Sequence, residues 1–118
     1  RVKERCLFLG YKENALDYFK FFDVYVMSSR SEGFGLCIIE AASQNVPIIC
    51  NQLTVFDELF DTDEAIRFDL SNLQSIMNAV NLATQNKTEI CAKANKRYLD
   101  NYTSEKMTQK YLAIYKCI

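Results

Sequence analysis

VYVMSSRSEGFGLCIIEAASQNVPIICN, residues 24–51, reads as a strand, a glycine turn, a helix and a second strand. VYVM (24–27) and PIIC (47–50) are short apolar runs bounded by turn formers, the pattern of buried strands. Between them Gly33 and Gly35, two of only three glycines in the chain, flank Phe34. Glycine at a strand-to-helix junction lets the backbone turn sharply and approach a ligand closely. The segment LCIIEAASQN, from Leu36 onward, reads as the helix that follows. Its free first-turn amides and its dipole favour an anion, most naturally a phosphate. Two glutamates bracket the turn, Glu32 in the loop and Glu40 among aliphatic residues. On one continuous helix their eight-residue spacing would separate them by about 12 Å along the axis. The glycines argue against that, so both carboxylates are expected to face one crevice, where each can accept hydrogen bonds from sugar hydroxyls.

The same alternation extends outward. CLFLG (6–10) and AIRF (65–68) read as further strands, and NALDYFKFF (14–22) and TVFDELF (54–60) as helices, the second with Thr54 as N-cap. Strand alternating with helix implies a Rossmann-like α/β fold, a parallel sheet of about four strands with helices on its faces. Ligands of such sheets collect outside the carboxyl ends of the strands, which is where the glycine turn lies. The last fifty residues read as three amphipathic helices. The first has Ser71 as N-cap with Leu73, Ile76, Met77, Val80 and Ala83 on one face. The second carries Ile90, Ala94 and Tyr98, and the third follows Thr103 with Met107, Tyr111, Ile114 and Tyr115.

Composition narrows the chemistry. With 118 residues, 49% hydrophobic and 25% charged, the chain has the make-up of one globular domain. Its net charge of -1 argues against a nucleic-acid partner, which would call for a basic excess. There is no histidine, and the five cysteines include no C-x-x-C pair, which removes the usual zinc sites and histidine-based triads. An odd, irregularly spaced cysteine set points to a reducing compartment, with Cys37 and Cys50 read as core thiols. The expected location is the cytoplasm, with room for peripheral association at the inner face of a membrane.

The stretch SSRSEGFGLCIIEAASQNVPIICN (28–51) resembles the donor-site motif of the group 1 family of nucleotide-sugar-dependent glycosyltransferases. In that family a Ser-x-x-Glu-Gly-Phe-Gly-Leu segment leads to a second Glu eight positions after the first, then to Glu-Ala and a Pro-led strand. The preceding strand-helix-strand with Asp23, the VFDELF helix with Glu58, and the last helix with Tyr102 and Tyr115 resemble the family's flanks.

The resemblance implies a retaining transferase of GT-B architecture, two Rossmann-like domains facing across a cleft, with no bound metal. It implies that Glu40 hydrogen-bonds the nucleotide ribose and that Glu32 faces the donor sugar as the catalytic carboxylate. Gly33, Phe34, Gly35 and Leu36 would meet the sugar and diphosphate. The partners implied are a nucleotide-sugar donor and a carbohydrate or lipid-linked acceptor, in polysaccharide synthesis. The family's diphosphate-binding Arg and Lys are expected upstream of this stretch, as is the acceptor-binding domain. Residues 1–118 are therefore expected to be part of a C-terminal donor-binding domain, inactive alone. Two other readings are a Rossmann-like module that binds no donor and a nucleotide-sugar epimerase.

Where the family has Gly, this chain has Asn45, and Ser28 stands in place of Pro. DTD (61–63) matches a D-x-D that binds manganese-nucleotide in a different transferase fold. It lies apart from the glycine turn and reads as a solvated acidic turn. Arg30, beside the motif, reads as a surface arginine.

Overall fold

Three parallel strands in the order β1–β2–β3 form the sheet in a computed structural model that describes residues 2–118. They are β1 (Tyr25–Met27), β2 (Ile48–Asn51) and β3 (Ala65–Phe68). Tyr25 pairs with Ile48, and Ile48 with Ala65, so the strands run in register. Each crossover is a helix: α2 (Leu36–Ser43) from β1 to β2, and α3 (Thr54–Leu59) from β2 to β3. This is the α/β arrangement expected from the alternating pattern, with one strand fewer.

The missing strand is CLFLG. Residues 6–10 form no strand, and Leu7 and Phe8 are 82% and 92% exposed. A strand exists only where a neighbour takes up its N–H and C=O groups, and among the described residues none lies beside this segment. The helix expected over residues 14–22 likewise shrinks to α1 (Leu16–Phe19), which seats Phe19 against Tyr25 at 5.3 Å between ring centroids.

The two faces of the sheet carry separate cores. Ile48, Cys50 and Ala65 pack with Ile38, Ile39, Ala41 and Ala42 of α2, Phe56 and Leu59 of α3, and Ala94 of α5 (Lys87–Asn101). Ile49, Ile66 and Phe68 point the other way, against Ala79 and Ala83 of α4 (Leu73–Gln85) and Ile90 of α5. This period-two division, apolar on both sides, is what a parallel sheet covered by helices requires.

The helix boundaries refine the sequence reading. Leu53, in extended conformation, occupies the N-cap position of α3 and Thr54 is its first helical residue. Asn72, rather than Ser71, caps α4, accepting from the Ser75 amide, while Ser71 bonds to Asp69. The α4 face is rotated from the expected one, because Ala79 and Ala83 allow close approach to the sheet and leave Leu73 and Met77 exposed. Thr103 caps α6 (Ser104–Lys116) as read, accepting from Lys106. The apolar residues of α6 stay exposed.

Asn45 fits its backbone role. The amides of Asn45 and Val46 donate back to the carbonyls of Ala42 and Ala41, the bond pattern of a Schellman stop. Asn45 takes φ 56°, a left-handed conformation that asparagine tolerates better than other side-chain-bearing residues. The DTD turn is tied to α5, with Asp61 and Glu64 bonded to Arg97 and Asp63 to Lys93. Asp61 and Asp63 stay solvent-exposed, as read, and carry surface ion pairs. No helix among the described residues is long and apolar enough to cross a membrane.

Candidate functional site

The turn between β1 and α2 is built around Gly35. It is the N-cap of α2, buried, with φ 89° and ψ 47°. A Cβ there would lie 2.9 Å from Cε1 of Phe56, so both the backbone conformation and the space require glycine. Gly33 differs: its φ is not positive, and a Cβ would meet nothing within 4 Å. The sharp turn thus rests on Gly35, and Gly33 leaves the backbone open toward the crevice.

Leu36 follows as the first helical residue; the Ile38 amide donates to the Gly35 carbonyl (3.2 Å), and the amides of Leu36 and Cys37 have no partner within the helix. On α2, Leu36, Cys37 and Glu40 share one side, opposite the buried Ile38, Ile39 and Ala42. Cys37 is therefore exposed, not the core thiol expected, since it falls on the crevice side of the helix. Cys50 is buried, and burial pushes its thiol up to about 11 despite the neighbouring Arg67.

Glu32 and Glu40 are both half-buried. Both act on Tyr25, whose phenol is held well above its ordinary value. Burial is the main cause, followed by the Cys37 thiol and then the Glu40 and Glu32 carboxylates. Both carboxylates therefore lie on the Tyr25 side of the turn that opens α2, Glu32 just before the turn and Glu40 on the helix. The Glu32 side chain also packs near Gly35, its Cγ 3.7 Å from where a Cβ would stand.

Phe34 and Leu36 are 50% and 62% exposed. Their side chains line an apolar cavity of about 450 Å³ with Ile39, Tyr102, Met107 and Tyr111, between the glycine turn and α6. Arg30 is exposed at a second groove along the strand ends, beside Asn51 and Asp69.

Three contributors were missed in the sequence. Tyr25 reads there only as an apolar strand residue. Asn51, at the end of β2, donates to the Ser29 carbonyl (3.0 Å) and accepts from the amides of Gln52 and Leu70, joining the ends of all three strands. Arg67 did carry a signal, a lone charge at an inward position of AIRF. Its side chain is 9% exposed and reaches across to α3.

Comparison with known proteins gives the family and the fold. The family described as "Glycosyl transferases group 1" matches residues 1–102. The "O-antigen biosynthesis glycosyltransferase WclY" of Escherichia coli is 31% identical over 115 residues, covering 98% of this chain and 32% of that protein. The "UDP-Gal:alpha-D-GlcNAc-diphosphoundecaprenol alpha-1,3-galactosyltransferase" of Escherichia coli is 30% identical over 87 residues, 73% of this chain and 22% of its own length. The crystal structure of TarM superposes with a TM-score of 0.71 at 22% identity, over 90% of this chain and 22% of that one, a likeness of fold. The chain thus spans about a third of the length of the first of these relatives.

Proposed function

The chain belongs to the glycosyl transferases group 1 family, and from that premise we propose that it supplies part of the donor site of a retaining glycosyltransferase. The protein would move a sugar from a nucleoside-diphosphate donor to a carbohydrate or lipid-linked acceptor. Residues 1–118 form part of a C-terminal Rossmann-like domain in this reading, and the acceptor is held by a facing domain outside them. One observation supports the reading: α2 opens on a left-handed Gly35, and the carboxylates of Glu32, just before it, and Glu40, on the helix, both act on the Tyr25 phenol.

The chemistry follows from charge. Cleaving the bond from sugar to diphosphate builds positive charge on the anomeric carbon and negative charge on the leaving group. The amides and dipole at the start of α2 stabilise the diphosphate, and preorganisation makes them effective because they need not reorient. Glu32 binds the sugar hydroxyls and favours the positive charge. Glu40 accepts from the ribose hydroxyls, a partner its aliphatic neighbours do not provide. Gly33 to Leu36 present backbone to the sugar and diphosphate. No metal takes part in this scheme.

Nucleotide-sugar binding and transfer by the intact protein test it. Glu40→Ala is expected to weaken donor binding about tenfold or more, the loss of a hydrogen bond to a charged group. Glu32→Gln should slow transfer more than it weakens binding. Donor affinity unchanged in Glu40→Ala would remove the assigned ribose contact, and wild-type turnover in Glu32→Gln would remove the charge role.

A further inference from the structure

We propose that Arg67 is a positioning residue for the donor turn, acting through α3 and the ring of Phe56; this rests on the donor-site reading above. Period-two alternation along β3 aims Arg67 into the core beside Ala65, opposite Ile66 and Phe68. Burying a guanidinium is costly unless every donor is taken up, and an apolar residue could fill the same space. Here Nη2 and Nε reach the end of one short helix, while Nη1 ties back to the sheet. Nη2 donates to the carbonyls of Phe56 (2.8 Å) and Phe60 (2.7 Å), and Nε to the Asp57 carboxylate (3.0 Å). Nη1 donates to the Ala65 carbonyl and to Cys50 Sγ (3.3 Å).

A six-residue helix has little stability of its own, so α3 takes its position from such contacts. The planar guanidinium fixes direction as well as distance, which an aliphatic side chain would not. On the far side of the same helix residue, the fully buried Phe56 ring fills the space a Gly35 Cβ would need (2.9 Å), and Glu32 Cγ borders the same space (3.7 Å). The route from Arg67 is therefore continuous: guanidinium, Phe56 carbonyl, Phe56 ring, Gly35, and the Glu32 side chain. Moving α3 by a few tenths of an ångström moves the floor of the turn that opens α2.

Amide hydrogen exchange and donor kinetics on the intact protein test this with Arg67→Met and Arg67→Lys. In Arg67→Met, exchange at Ile39 and Glu40 of α2 should quicken about tenfold, the factor for losing one charge-assisted hydrogen bond. Ala79 and Ala83 of α4, on the opposite face of the sheet, should keep their rates. The donor kcat/KM should fall with the acceptor KM unchanged, and Arg67→Lys should recover part of both effects. Phe56→Leu leaves every bond of Arg67 intact while withdrawing the ring from Gly35, and should loosen α2 in the same selective way. Should Arg67→Met fail to fold, Phe56→Leu and Arg67→Lys decide the matter. Equal quickening in α2 and α4, or an unaltered α2 in Phe56→Leu, overturns the proposal. A wild-type protein that neither binds nor turns over a nucleotide sugar would instead remove the donor-site reading, while the exchange data still judge the link from Arg67 to α2.

Discussion

Replacing Gly35 with alanine tests the architecture of the turn directly. Its φ of 89° places an L-residue in left-handed territory, a penalty of about 1–2 kcal/mol. The new methyl would also stand 2.9 Å from Cε1 of Phe56. That ring is fully buried between α3 and the sheet and has little room to retreat; overpacking of this kind costs about 1–3 kcal/mol. Alanine recovers about 0.4–1 kcal/mol by narrowing the unfolded ensemble. The balance is a net loss of about 1–5 kcal/mol, a large share of the ~5–15 kcal/mol that holds a typical domain. Urea unfolding followed by circular dichroism measures it, with the slope checked for constancy. A double-mutant cycle with Phe56→Leu separates the two causes: the steric part should appear as a coupling of about 1–2 kcal/mol, and the backbone part should persist. A loss below about 0.5 kcal/mol for Gly35→Ala would refute the conformational argument. Zero coupling to Phe56 would refute the contact.

Gly33→Ala should leave the urea midpoint unchanged or slightly raised, because its Cβ meets nothing within 4 Å. The same methyl should raise the donor KM, since it projects where the sugar or diphosphate is proposed to lie; an unchanged KM would place the donor elsewhere. Asn45→Ala should destabilise by about 1 kcal/mol and Asn45→Gly should be neutral or stabilising, because φ is 56° there. Equal stability of the alanine and asparagine forms in urea would contradict the left-handed stop. Cys50 gives a pH prediction. Its thiol titrates at about 11 in the folded chain against 9.0 unfolded, so the folded state keeps a proton that the unfolded state loses. The corresponding stability is fully present below pH 9 and is lost as pH rises toward 11, about 2–3 kcal/mol in all. Chemical denaturation across that range should show a shallower alkaline decline in Cys50→Ala than in the wild type, and parallel curves would speak against burial of the thiol.

Much of this protein was legible along the chain. The alternation of short apolar runs with amphipathic segments determined a parallel α/β sheet, because pleat and helix periods are local properties. The order strand, glycine, helix located the turn between β1 and α2, because the left-handed start of a helix needs glycine. Tertiary structure decided the rest, wherever the outcome depended on what stands opposite. Residues 6–10 have strand composition but, among the described residues, no neighbour to pair with, so they form no strand. Cys37 and Cys50 are both cysteines among aliphatics, yet the rotation of α2 exposes one and the centre of the sheet buries the other. Gly33 and Gly35 look alike in the sequence. The left-handed φ of 89° and the approach of Phe56, held on a short helix that Arg67 anchors to β3, together make Gly35 the one that cannot change. Local conformation follows from neighbours along the chain, whereas burial, pairing and close contact arise between segments far apart in it.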